Sequence, residues 1–230
     1  MNSTHHEHAP DVVGVPLASL IAEASFVDVV FLLLRGSRPL ERERAMLDAM
    51  LVAACDHGEE PPSTVAARVS ASTGNALHTA IAAGILTMGP RHGCAVSAAM
   101  ELLARAGDPV AVVHAAIAAD ERLPGFGHKV YTEEDPRTTA LFIRASTLGI
   151  AGPPLERARA LSEALATAKG RRIPLNVDGC LAALALALGF PSAAGNALFL
   201  VSRLPGLAAH ALAGSTMTSY MRAPASSENR

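Results

Sequence analysis

The chain has 230 residues, half of them hydrophobic, few aromatic, and a formal net charge of −2. That length supports one domain, or a large and a small lobe, around a sizeable core. The apolar share is mostly Ala and Leu, the strongest helix formers, so an all-α fold is expected, and the near-balanced charge argues against nucleic acid or an anionic membrane as the main partner.

Residues 1–10 are polar, and His5-His6-Glu7-His8 reads as part of a disordered tail rather than a metal site. No basic-then-apolar export pattern follows. From Pro16 to Leu34, Leu17, Leu20, Ile21, Phe26, Val29, Val30 and Leu33 recur at helical spacing, and Val29–Leu34 is apolar all round. This predicts one helix buried on more than one side and ended by Gly36. The next helix opens at Ser37-Arg38-Pro39 and places Met46, Met50, Leu51 and Ala54 on one face. It runs into Asp56-His57-Gly58. His57 there either faces a cleft or, as a histidine at a helix C-terminus, interacts with the helix dipole.

Pro61-Pro62-Ser63-Thr64 restarts a helix rich in small residues, which permit close helix approach, and another runs from Ala76 to about Leu86. Pro90-Arg91-His92-Gly93 leads into a long helix, Cys94–Ala106, with Val96, Met100 and Leu103 inward. An imidazole at a helix start stays neutral because the positive helix end disfavours protonation, and it can still donate a hydrogen bond. The plainer reading of His92 is a polar cap. A further amphipathic helix covers Val110–Arg122.

The stretch Gly125–Arg137 reads GFGHKVYTEEDPR. Gly125 and Gly127 flank Phe126 and allow a sharp bend or the close approach of a ligand. His128 then sits on a tight turn beside Lys129. Asp135 and Pro136 read as N-cap and first residue of a helix to Leu148, with Arg137 in its first turn as an anion site. Standing alone, the segment reads as a surface turn with a solvated histidine. A helix over Leu155–Lys169 and a basic turn at Gly170-Arg171-Arg172 follow. Asn176-Val177-Asp178-Gly179 precedes an apolar helix, Cys180–Leu188. Asp178 reads either as that helix's N-cap or as a carboxylate at its mouth, where desolvation raises its basicity. The longest apolar run, Cys180–Phe190, is too short to span a bilayer. Two last helices are expected, Asn196–Leu204 and Leu207–Ala213, broken at Pro205-Gly206. Arg203, in apolar company, needs an acidic or anionic partner. Cys55, Cys94 and Cys180 are odd in number and lack metal-type spacing, which predicts buried thiols in a reducing, cytoplasmic setting. GFGHKV lacks the third glycine of a dinucleotide fingerprint.

Together, His92, His128 and Asp178 with the forks of Arg137, Arg203 and Arg222 suit carbon–carbon chemistry next to a thioester. A carboxylate moves an α-proton, one imidazole donates to the enolate oxygen, a second polarises a carbonyl, and arginines hold a dicarboxylate.

GPRHG, PGFGHKVYTEEDPR and NVDG occur in the order and spacing seen in citrate synthases, and SFVDVVFLLLRGSRPL and the DHG segment resemble that family as well. The resemblance runs from about Gly14 to Arg222. It implies that Asp178 is the base, that His92 stabilises the enol and that His128 polarises the oxaloacetate carbonyl. His57, Arg137 and Arg203 resemble oxaloacetate and citrate contacts. Arg222 matches an arginine given by a partner subunit, although its RAP context departs from the usual RP. The turn Gly125, Phe126, Gly127, Lys129 resembles the part that holds the adenine end of coenzyme A.

The resemblance further implies a homodimer or higher oligomer, no metal, and acyl-CoA with oxaloacetate or citrate as substrates. Its lobes would be residues 11–92 with 184–230 (large) and 93–183 (small, closing over the substrate). The chain begins well inside the citrate synthase pattern, and in this it is similar to citryl-CoA lyases and the lyase module of ATP-citrate lyase. Gly179 fits that branch, where full-length synthases usually carry an aromatic; His92 is synthase-like. Three readings follow: a citryl-CoA lyase-like enzyme, a citrate or 2-methylcitrate synthase, and an inert helical binding subunit retaining the pocket. A histidine-cluster zinc protein is a fourth, unsupported by any HxxxH or CxxC pair.

Overall fold

The structure is a computed structural model and describes residues 10–215. The His5–His8 stretch and Arg222 lie outside the described residues. Within them the chain is mostly helical, as expected, with eleven α-helices and one antiparallel hairpin that sequence reasoning missed, β1 (Asp11–Val12) and β2 (Val15–Pro16).

The helix expected over residues 16–34 is two, α1 (Leu17–Glu23) and α2 (Phe26–Arg35). Ser25 breaks it. Its hydroxyl accepts from the Asp28 N–H, and the Asp28 carboxylate accepts from the Ser25 N–H, a reciprocal cap that starts a new helix. The apolar stripe is also less buried than its spacing implies. Val30, Phe31 and Leu32 are inside, whereas Ile21 is 77% and Phe26 74% exposed.

The other helices follow in order: α3 (Glu41–Ala54), α4 (Pro62–Ser72), α5 (Leu77–Leu86), α6 (Val96–Ala104), α7 (Pro109–Ala118), α8 (Pro136–Thr147), α9 (Pro153–Lys169), α10 (Val177–Ala187) and α11 (Gly195–Ser215). Helix α10 is the centre of the main core, buried on nearly every side from Gly179 to Ala185, with Met46 and Leu47 of α3, Val96 and Met100 of α6, Leu141 of α8 and Leu161 of α9 around it. Each such fully buried large side chain contributes about 1.5–3 kcal/mol over its exposed state. A second cluster joins α4, α5 and α11 through small residues, Ala67, Ala71, Ala80 and Ala211, with Leu207.

Helix α11 runs unbroken through Pro205, which corrects the expected pair of helices. Pro205 lies on the exposed face, so the backbone hydrogen bond it cannot make is lost where water can replace it, while Gly206 and Leu207 are packed inside. With the preceding turn, Ser192–Ser215 is long and apolar enough to cross a membrane by length and composition. Its inner face nonetheless carries Phe199, Ser202 and Arg203 into the protein interior. All three cysteines are free thiols. Cys180 is buried as expected, whereas Cys55 and Cys94 are half-buried.

Candidate active site

The first corner of the site forms where α3 ends. Gly58, with φ of +85°, turns the chain out of the helix and leaves His57 facing inward. The His57 ring stacks on His92, centroids 5.3 Å apart and planes 16° from parallel. Ser63, fully buried in the first turn of α4, stands between them: its Oγ is 2.8 Å from His92 Nε2 and 3.5 Å from His57 Nε2. A hydroxyl has one proton and two lone pairs, so at most one ring accepts from Ser63 and at least one donates to it.

His92 does not begin a helix. It closes a tight turn with Gly89 (N–H to carbonyl, 2.8 Å both ways), and α6 starts four residues later. The helix-end argument for a neutral ring therefore fails. Neutrality has another source: burial first, then the Arg203 and Lys129 charges, push His92 below its ordinary value. His57 is pushed down to about 3 by burial and then by Arg203 and His92.

Arg203 rises into this corner from α11. It is 2% exposed, its Nε donates to the Ala54 carbonyl (2.8 Å), and it lies 4.9 Å over the Phe199 ring. Its Nη1 is buried with no partner, and among the described residues it makes no ion pair. Burial depresses its proton affinity to about 10. A cation held this way is stable only if something negative joins it.

The second corner is the glycine turn and the start of α8. His128 Nδ1 accepts from the N–H of Val130 (3.0 Å) and of Tyr131 (3.1 Å), so in the neutral ring the proton sits on Nε2. Arg137 Nη2 lies 3.3 Å from that Nε2. With the proton on Nε2 both groups are donors, so neither satisfies the other. Asp135 caps α8 as expected, and it does more. Fully buried, it accepts from Arg137 N–H, Nε and Nη2 and also from Val177 N–H (3.1 Å), so one carboxylate closes the starts of α8 and α10. This corrects the expected anion site at Arg137. Asp135 occupies the helix start from within, and Arg137 turns its remaining face toward His128.

Asp178 is not the cap of α10. Asn176 is: its side-chain oxygen accepts from the Gly179 N–H, and its amide donates to the Gly127 carbonyl (2.8 Å). Asp178 is thus left uncommitted in the first turn. Burial raises its proton affinity, against the lowering influence of Arg137 and Arg203. The glycine turn is held to α10 throughout. Gly125 O, Gly127 N and Gly127 O all bond to Pro174 or Asn176, and a Cβ on Gly125 would come within 2.6 Å of the Gly179 Cα. Phe126 packs against the core, and Lys129 is exposed, its charge felt by His92.

Arg203 acts on both neutral rings and on Asp178, and Arg137 acts on Asp178. The structure therefore gathers His57, His92, His128, Arg137, Asp178 and Arg203 into one electrostatic neighbourhood. Among the described residues no group of three His, Cys, Asp or Glu is placed to hold a metal ion. Sequence reasoning missed Ser63, which has no motif of its own, and Asn176, whose type and position two residues before Asp178 were a usable N-cap signal.

The low proton affinity of His57 fixes the sign of a stability effect. Unfolded, it binds a proton near pH 6.5; folded, only near 3. The unfolded chain therefore holds more protons in that window, and stability falls as pH falls through it. Thermal unfolding followed by circular dichroism should give a Tm that drops from pH 7 to pH 5, above the carboxylate range. His57→Gln should flatten that slope; an unchanged slope would refute the assignment.

Comparison with known proteins agrees with this geometry. The family model "Citrate synthase, C-terminal domain" matches residues 8–223. The chain is 36% identical over 202 residues to a protein named "Putative citrate synthase 2" from Mycobacterium tuberculosis, covering 84% of this chain and 53% of that one. The chain spans about half the length of the curated relatives it matches. Its fold superposes on the citryl-CoA lyase of Hydrogenobacter thermophilus with a TM-score of 0.86 and 37% identity, over 92% of this chain and 84% of that one. It also superposes on the Methanothrix soehngenii ATP citrate lyase solved with citrate and coenzyme A, with a TM-score of 0.79 and 26% identity, over 87% and 36%. A family model that covers nearly the whole chain, with a relative 36% identical over most of it, places this protein in the citrate synthase family.

Proposed function

We propose that the chain is a citryl-CoA lyase-like enzyme, interconverting citryl-CoA with acetyl-CoA and oxaloacetate. The observation that carries the reading is Arg203, a buried cation with no direct ion pair among the described residues, set near two neutral rings and a desolvated carboxylate. Such a pocket takes an anion and steadies an enolate. The cleavage moves one proton from the substrate hydroxyl to the carbon released as a methyl group, and consumes none. Asp178 delivers the proton at the carbon. His128 Nε2–H and Arg137 hold the oxygen that turns from hydroxyl to carbonyl as its proton leaves to solvent water, and Asp178 regains a proton from solvent before the next turnover. Ser63 donates to His92 Nε2, which leaves the His92 proton on Nδ1 for the enolate oxygen. His57 and Arg203 hold the carboxylates.

The agreement with the citryl-CoA lyase fold and the missing side chain at Gly179 support the lyase direction. His92 supports a second reading, a citrate or 2-methylcitrate synthase. The assay that separates them supplies oxaloacetate with acetyl-CoA or propionyl-CoA and follows free CoA. The lyase reading expects little CoA from these mixtures and rapid acetyl-CoA from supplied citryl-CoA; appreciable CoA release favours the synthase. No turnover of either, with ligand binding retained, leaves the inert binding subunit.

The reading includes acyl-CoA as substrate, its adenine end against Gly125, Phe126, Gly127 and Lys129, and a small lobe (93–183) closing on the large one. It also includes a homodimer to which each partner gives Arg222. Exposed Val65, Val69, Leu77, Leu86 and Leu212 on α4, α5 and α11 support the pairing.

A further inference from the structure

Helix α11 does more than carry Arg203. Four of its residues at positions i, i+1, i+4 and i+8 form one face, and that face meets the end of α3 residue by residue. Ser202 donates its hydroxyl to the Leu51 carbonyl, and Arg203 Nε donates to the Ala54 carbonyl. Gly206 packs so closely on the Cys55 carbonyl that no Cβ would fit. His210, one turn further, places Nε2 2.8 Å from Asp56 Oδ1. The first three contacts satisfy or cover carbonyls that the helix end leaves open. The fourth does something different, because its target is the side chain of the residue directly before His57.

Asp56 directly precedes His57 and Gly58 in the turn out of α3; burial raises the proton affinity of its carboxylate, and His210 with the neighbouring backbone N–H groups lowers it below the ordinary value. Asp56 alone is a weak anchor for that turn, since its side chain is 48% exposed. His210, 16% exposed, is the better-held partner. A carboxylate only accepts, so His210 Nε2 carries the proton in this contact.

We infer that His210 is a positioning residue for His57: by fixing the Asp56 carboxylate it fixes the turn that stacks His57 on His92. The inference rests on the proposed activity for its kinetic readout but not for its structural one. His210 touches none of the site's rings directly. Removing it leaves the Asp56 carboxylate to solvent, and the turn after α3 then keeps its backbone contacts to Arg203 and Gly206 but loses the tether on the Asp56 side chain. A ring displaced by about 1 Å costs up to 10²-fold in rate when it orients a substrate.

The test compares His210→Ala with His210→Gln, whose amide nitrogen reaches nearly where Nε2 stood, and with His78→Ala on the exposed face of α5 as control. With histidine ring nitrogens labelled, NMR should show the His57 and His92 signals shifted in His210→Ala and restored in His210→Gln. With citryl-CoA, kcat/KM should fall ten- to a hundredfold in His210→Ala, mainly through KM, and recover in His210→Gln. Unmoved ring signals in a folded His210→Ala overturn the inference, as does a wild-type rate in that variant. If the wild type turns over no citryl-CoA, the activity reading fails, while the ring signals still decide the role of His210.

Discussion

Asp178→Asn is expected to cut citryl-CoA turnover by roughly 10²–10⁴-fold, the usual worth of a positioned acid–base group. Asparagine has nearly the same shape, and Asp178 makes no cap bond that the change would break, because Asn176 caps α10. The loss should therefore fall on kcat, with coenzyme A affinity and Tm close to wild type. The direction of the pH dependence follows from the raised proton affinity. Cleavage needs the protonated acid, so the lyase rate should decline as pH rises through the elevated value; condensation needs the carboxylate and should rise. Single-turnover measurements on both reactions, with wild type and variant, test this. A variant retaining a tenth or more of the wild-type rate would remove Asp178 from the proton transfer.

Asp135→Ala is expected to cost about 3–5 kcal/mol of stability, the penalty for breaking a buried ion pair by removing one partner. A domain has only about 5–15 kcal/mol to lose. Burial alone would raise the Asp135 proton affinity, but the bonds from Arg137 hold it below the usual carboxylate range, so the folded protein keeps a charge there. Alanine would strip the cap from α8, take the acceptor from the Val177 N–H at the start of α10, and leave Arg137, its guanidinium partly buried, without its acid. Urea unfolding measures the loss; a value below 1 kcal/mol would mean the two helix starts hold without it. Asp135→Asn keeps the shape and should fall between.

Much of this fold was legible because helix starts announce themselves chemically. Asp135-Pro136 predicted the start of α8 to the residue, and Pro62 opened α4 where proline belongs, whereas α9 starts at Pro153, two residues before the expected Leu155. Errors arose where tertiary contacts outvote local signals. Pro205 marks a break in an isolated helix, yet α11 is packed on both sides of it and continues. His92 looked like a helix start because a glycine and an apolar run follow, whereas the Gly89–His92 turn intervenes. The candidate residues themselves came from motif and type, and His57 and His92, like His128 and Arg137, stand side by side in the structure. What holds them was invisible, since Ser63, Asn176 and the pairing of Asp56 with His210 span 29, 49 and 154 residues of sequence.

The near-contact of two glycines has a consequence for motion. Gly125 and Gly179 meet main chain to main chain, and Asn176 ties the same turn twice more, so the peptide carrying His128 and the first turn carrying Asp178 form a single stiff body. If the proposed lobes move, the spacing between Asp178 and His128 stays fixed and both travel relative to His57 and His92 as a pair, so the proposed closure has one gap to close instead of two.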